Sequence, residues 1–225
     1  MAKKGKEKDI VPVHNLPNYE IGITVIIDET TPHDLKYGDQ YVVGATVLNN
    51  KDVRKFGEIA EIRYKGRELK FHDTKDPELA IEILDEASKL GKSYYSVTTT
   101  KPKDRKWSKK EDRNVHRNSV KRIVEDVSDD EESDIHLIID YNTKSKSGTI
   151  RRIISSVSKK EKITYDIPRS EESFQLMTND FPVGSMGRSY NRNDDTYVNR
   201  LGKKVKRSRL NEEDAIKDLL IDFEE

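Results

Sequence analysis

Two short β-branched runs, residues 21–28 (IGITVIID) and 135–140 (IHLIID), each end on a carboxylate. Runs of this length suit buried strands and are too short for helices. They alternate with segments whose apolar residues recur at helical spacing, and strands separated by helices predict an α/β sheet. If the two runs are parallel strands of that sheet, Asp28 and Asp140 project from the same edge, where open α/β sheets place their ligands.

The other elements follow from local chemistry. Residues 41–48 (YVVGATVL) read as a second strand, and the turn residues Pro32, Asp34, Gly38 and Asp39 join it to the first in an expected hairpin. A helix is expected over residues 52–64, with Val53, Phe56 and Ile59 on one face, until Gly66 breaks it before RELKFHDT at 67–74. Asp76 caps and Pro77 opens a clearer one, lined by Leu79, Ile83, Ala87 and Leu90 and ended by Gly91. Residues 93–100 (SYYSVTTT) have strand composition, and a helix follows over about 110–127. A helical stripe at Ile150, Ile153, Ile154 and Val157 precedes a strand at 162–167 and a helix from 173 to about 190, interrupted at Pro182. Asn211 caps a last amphipathic segment with Ile216, Leu219, Leu220 and Phe223. It is expected to dock on this domain or on a protein partner through residues 211–223, with 191–209 as its linker.

Charged residues make up 37% of the 225 and apolar ones 33%, below the roughly 45–50% usual in globular chains. The core is therefore modest: one domain at 21–191, a flexible leader at 1–20, and a basic linker with its helix at 192–225. Without cysteine there is no disulfide, no thiolate nucleophile and no Cys-ligated zinc. No apolar run approaches the ~18 residues of a membrane span, and the lysine-rich start has no apolar follow-on. A soluble cytoplasmic protein without a membrane partner is the expectation.

The net charge of zero hides a segregation of sign. Residues 101–122 hold ten basic side chains against three acids; Lys101, Lys103, Arg105 and Lys106 open the run. Seven acids follow between Glu125 and Asp134, which reads as a solvated loop, and a second basic run spans Arg200 to Arg209. Such runs are commonly solvated faces, but the first has Tyr94, Tyr95 and Trp107 nearby, flat rings suited to stacking on bases of RNA or DNA. The five histidines show no metal-binding spacing, and neither a Walker, a Rossmann nor a G-x-S-x-G pattern is present. Two carboxylates held a few ångströms apart need a cation, a shared proton or basic neighbours. Mg²⁺ or Mn²⁺ would satisfy them and support phosphodiester hydrolysis.

The ordered set IIDETT (26–31), YVVGATVL, RELKFHDT, HLIIDYN (136–142) and SFQLMTNDFPVGSMGRSYN (173–191) resembles the RNase H-like family catalogued as domain of unknown function 3800. The departures are local: Thr30-Thr31 stands where Ser-Gly is commoner, and Asp180 lies one residue further from Gln175 than the family spacing. The resemblance implies a mixed sheet flanked by helices and a metal-dependent nuclease with Asp28, Glu68, Asp140 and Asp180 as catalytic metal ligands. Glu29 and Lys70 stand beside them, with Lys70 and the basic stretch holding the substrate backbone. The competing expectation is a non-catalytic nucleic-acid-binding or adaptor protein on the same fold.

Overall fold

Val, Ile and Thr pack well on a pleated surface, and the runs rich in them build a six-stranded sheet. The structure is a computed structural model describing residues 22–30, 38–141, 146–157 and 163–218. The expected leader at 1–20 and Leu219, Leu220 and Phe223 lie outside the described residues. The strands are β1 (Ile23–Thr30), β2 (Gln40–Asn49), β3 (Ser93–Thr100), β4 (Ile135–Ile139), β5 (Ile163–Asp166) and β6 (Val205–Arg209). The helices are α1 (Val53–Glu61), α2 (Pro77–Leu90), α3 (Lys109–Asp130), α4 (Ser147–Ser155), α5 (Phe174–Arg192) and α6 (Glu212–Ile216).

The spatial order is β5-β4-β1-β2-β3-β6. β2 is antiparallel to β1 and β3, while β4 pairs parallel with β1 and β5, and β6 parallel with β3. Five strands thus point their C-terminal ends at one edge. The expected hairpin is β1–β2, and the two carboxylate-ending runs are the parallel neighbours β1 and β4.

Alternation along each strand divides the core. Ile23, Val25 and Ile27 pack with Leu137, Ile139 and the α3 and α4 residues Val120, Ile123, Ile150 and Ile153. On the other face Ile26, Leu48, Tyr94 and Ile138 meet Phe56 of α1, Ile83 and Leu84 of α2, and Phe181, Val183 and Met186 of α5. Local signals set the helix starts: Asp76 accepts from the N–H groups of Glu78 and Leu79 at 2.9 and 3.3 Å. Ser108 and Glu111 form a capping box that opens α3.

Three expectations about elements are corrected, and the open choice of docking site for the last segment is decided. α5 runs through Pro182 without interruption; burial of Phe181, Val183 and Met186 outweighs the ~3 kcal/mol an internal proline costs. The acidic run is no simple loop, because α3 extends to Asp130 and carries Glu125 to Asp130 in helix. The segment read as a linker folds into two turns of 3-10 helix with Val198 and Leu201 buried, then supplies β6. α6 is a short helix that docks on its own chain: Ala215 is buried, and the side-chain amides of Asn114 and Asn118 in α3 donate to carbonyls of residues 214–217. None of the described helices is long and apolar enough to cross a membrane.

Candidate active site

Strand alternation decides which acids can meet. Ile26, Asp28 and Thr30 share the α5 face of β1, and Ile27 and Glu29 the α3 face. Asp140 directly follows β4; its N–H donates to the Ile27 carbonyl at 3.3 Å, and alternation from Ile138 places it on the α5 face. Asp28 and Asp140 therefore share an edge and a face, on adjacent parallel strands. Asp28 Oδ1 accepts from the N–H of Glu29 at 2.7 Å.

Asp180 arrives from α5, whose close approach to the sheet depends on glycine. A Cβ at Gly187 would lie 2.3 Å from Thr30 Cγ2, and one at Gly184 2.6 Å from Phe71 Cδ1. The Phe71 ring packs edge-on against Phe181 and Tyr197, with centroids 5.9 and 5.2 Å away. Its backbone N–H donates to Asp180 Oδ2 at 2.5 Å. That anchor fixes the preceding residues, where Lys70 Nζ lies 3.2 Å from Glu68 Oε2. Thr74 closes the turn by donating its hydroxyl to the Lys70 carbonyl at 2.8 Å.

The acids feel one another. Burial raises the Asp28 carboxyl well above the usual range, and the charges of Asp180 and Asp140 push it the same way against the Glu29 N–H. Burial also raises Asp180, opposed by the Phe71 N–H, His72 and Lys70. Burial, then Glu29, pushes Asp140 up to about 7. Burial pulls Lys70 down, yet Glu68, Asp180 and Asp28 outweigh it and its ammonium stays above its ordinary value. One lysine does not neutralise four carboxylates, so the cluster favours a proton or an added cation.

Asp140 Oδ1 is buried without a hydrogen-bond partner among the described residues. As the side chains stand, no three His, Asp or Glu groups among the described residues are gathered closely enough to hold a metal ion. The donors are nonetheless all hard carboxylate oxygens with one orphaned lone-pair site, and that set fits Mg²⁺ or Mn²⁺ rather than a soft metal.

Other expected site residues are placed differently. Glu29 lies on the α3 face, where its carboxylate accepts from the Tyr41 hydroxyl and stands 2.7 Å from His116 Nδ1. Tyr41 and His116 are both buried. Tyr94 and Tyr95 are buried in the sheet, their hydroxyls donating to the Ala87 carbonyl and to Asp130, so neither stacks on a base. Trp107 packs edge-on against Tyr41 and donates to Glu212. β3 ends at the carboxylate edge, so Lys101 begins there; Lys103 and Lys106 are exposed, and Arg105 is bound by Glu111 and Glu212 at 2.8 and 2.7 Å. Missed by the sequence reading is Tyr141, next to Asp140, which is 48% exposed with the Arg169 guanidinium 5.8 Å from its ring centroid. Its position after a strand-ending acid was the available signal.

No family model matches the chain, and no curated protein matches it by sequence. Among solved structures it is similar to the ribonuclease H2 of Pyrococcus horikoshii, at 11% identity and a TM-score of 0.53, over 82% of this chain and 81% of that one. The fold is RNase H-like. A mutant of Bst-RNase HIII is also similar, at 13% identity and TM-score 0.47 over 77% of this chain and 53% of that one. So is the RNase HII of Archaeoglobus fulgidus, solved in complex with PCNA, at 11% identity and TM-score 0.47 over 76% and 75%. On this RNase H-like frame the candidate acids occupy the C-terminal edge of the paired strands β1 and β4, under the first half of α5.

Proposed function

We propose that the chain is a divalent-metal-dependent nuclease of the RNase H-like family catalogued as domain of unknown function 3800, hydrolysing phosphodiester bonds of RNA or DNA. The observation that carries this reading is the shared face and edge of Asp28 and Asp140 with Asp180 against them, all three carboxyls raised by burial and those of Asp28 and Asp140 also by neighbouring carboxylate charge. Asp28, Asp140, Asp180 and Glu68 would hold Mg²⁺ or Mn²⁺, which supplies Lewis acidity toward the phosphoryl oxygens. The Phe71 N–H fixes one oxygen of Asp180, leaving its other oxygen for the cluster. Lys70, held by Glu68, offers its ammonium to a non-bridging phosphate oxygen. Tyr141 offers an exposed ring to a flanking base.

The test is cleavage of labelled RNA, DNA and hybrid substrates by the purified full chain in Mg²⁺ or Mn²⁺, with Asp28→Asn and Asp140→Asn beside it. The expected result is cleavage that EDTA abolishes and that each substitution lowers by at least ~100-fold, as loss of an electrostatic catalytic contact does. Cleavage surviving both substitutions contradicts the assignment. A second reading, a non-catalytic binding protein on this fold, is favoured by the ungathered positions of the acidic side chains. It predicts salt-sensitive nucleic-acid binding without metal uptake.

A further inference from the structure

The second basic run is built into the sheet on the same face as the acids. Asp28 pairs with Gly44, Gly44 with Ser96, and Ser96 with Arg207. Arg207 therefore stands in lateral register with Asp28, three strand spacings or about 14 Å away across the sheet. Arg209, two residues on, is level with Thr98, Val42 and Thr30. Because Val205 packs with the α5-face core, alternation sends Arg207 and Arg209 to that face too.

There they border a cavity of about 330 Å³ with Gln40, Thr98 and Tyr190. It adjoins a second of about 610 Å³ whose rim includes Lys101, Lys103 and again Arg209. Tyr190, from the end of α5, donates to or accepts from Ser96 at 3.1 Å, and the Arg207 guanidinium sits 5.1 Å from its ring centroid. Arg209 donates to the Thr100 hydroxyl at 2.7 Å. The neighbouring cations are committed: Lys206 to Asp130, Arg200 to Asp85, and Lys204 to the carbonyls of Ser88 and Gly91. Arg207, Arg209 and Lys103 have no carboxylate within 4.0 Å among the described residues. The one acid on either rim, Glu212, is held by Arg105 and Trp107. Charge on an edge strand also deters unwanted strand pairing, but that role does not require two guanidiniums without a carboxylate partner beside one cavity, Arg207 held among the described residues only by the Tyr190 ring and by Ser189 Oγ at 3.4 Å and Arg209 by Thr100.

We infer that this groove, lined by Arg207, Arg209, Tyr190 and Lys103, binds the phosphodiester backbone of a single nucleic-acid strand whose continuation reaches the carboxylate cluster across the end of α5. The inference rests on the nuclease reading for its ligand class. The 14 Å separation corresponds to about four nucleotides at the 3.4 Å rise per strand of a duplex. The guanidiniums take phosphates, and the stacked Arg207–Tyr190 pair presents a flat surface to a base.

The experiment is fluorescence anisotropy of the full chain with a mixed-sequence single-stranded 12-mer, as RNA and as DNA, in EDTA at 50–200 mM KCl. The expected result is that Arg207→Gln/Arg209→Gln weakens binding about tenfold or more and reduces the salt slope by about 1.4, two contacts at ~0.7 each. Lys51→Gln, at the opposite sheet edge, leaves both unchanged. Circular dichroism checks that the double variant is folded. Wild-type affinity and slope in a folded double variant, or no binding of either 12-mer by the wild type, overturns the groove. Groove-dependent binding with no cleavage in Mn²⁺ upholds the groove and rejects the catalytic reading, whereas cleavage with groove-independent binding does the reverse.

Discussion

At Asp140, burial and neighbouring charge together set the proton affinity of a single residue. Its carboxyl, near 3.9 in an unfolded chain, is pushed up to about 7 in the fold, so the folded state binds the proton more tightly. The associated stability is fully present below pH ~4 and is lost as pH rises through ~7. Metal-free protein is expected to lose roughly 2 kcal/mol over that window from this group, discounted for its partial exposure. Urea melts from pH 5 to 8 in EDTA measure it. Asp140→Asn should flatten the profile and be more stable than wild type at pH 8, and a wild-type slope in that variant would contradict the assignment. Mg²⁺ or Mn²⁺ should restore wild-type stability at pH 8 and leave the asparagine variant less affected. Glu29, expected beside these acids from the resemblance, turns to the α3 face by period-two alternation, yet its charge still reaches Asp140.

At the scale of elements, the α5 contact decides whether Asp180 belongs to the cluster. Gly184→Ala puts a Cβ 2.6 Å from the Phe71 ring and is expected to cost ~1–3 kcal/mol, as overpacking does. Displacing Phe71 also removes the N–H that holds Asp180. If the proposed nuclease activity holds, the variant should lose turnover in excess of its unfolded fraction, measured by chemical denaturation alongside cleavage at a temperature where it is folded. Ser108→Ala, which breaks the α3 capping box far from Asp180, should lose ~1 kcal/mol of stability and keep its turnover per folded molecule. β1 and β4 were legible because short β-branched runs have few alternatives, and their pairing followed from a general rule of sheets. The approach of α5 was not, because it depends on what Gly184 and Gly187 each face across the contact, Phe71 and Thr30, and two glycines in a helical stretch do not carry that information.

Across the whole molecule, the strand hardest to read is the one that closes the sheet. β6 (VKRSR) shows no strand-like run of apolar residues, since at the edge only Val205 packs into the core. Its basic composition therefore read as a linker. Tyr94 and Tyr95, expected near the first basic run as rings for stacking, are covered by the helices on the two faces of β3: Tyr94 packs with α2 and Tyr95 with α3. A chain ending at Gly202 is accordingly expected to expose the β3 edge, lower the melting temperature by several degrees and self-associate. Light scattering and a thermal melt test this, and unchanged behaviour would mean that β6 is dispensable. The segregated charge becomes intelligible at the same scale: cations and acids share the α5 face of one sheet edge, on either side of the end of α5.

The most direct measurement of the central claim is anomalous diffraction from crystals of the full chain soaked in Mn²⁺. A manganese peak bounded by carboxylate oxygens of Asp28 and Asp140, with Asp180 or Glu68 completing the shell, is expected in the wild type and not in Asp28→Asn. A well-ordered crystal with these oxygens turned apart and no anomalous density between them would contradict it.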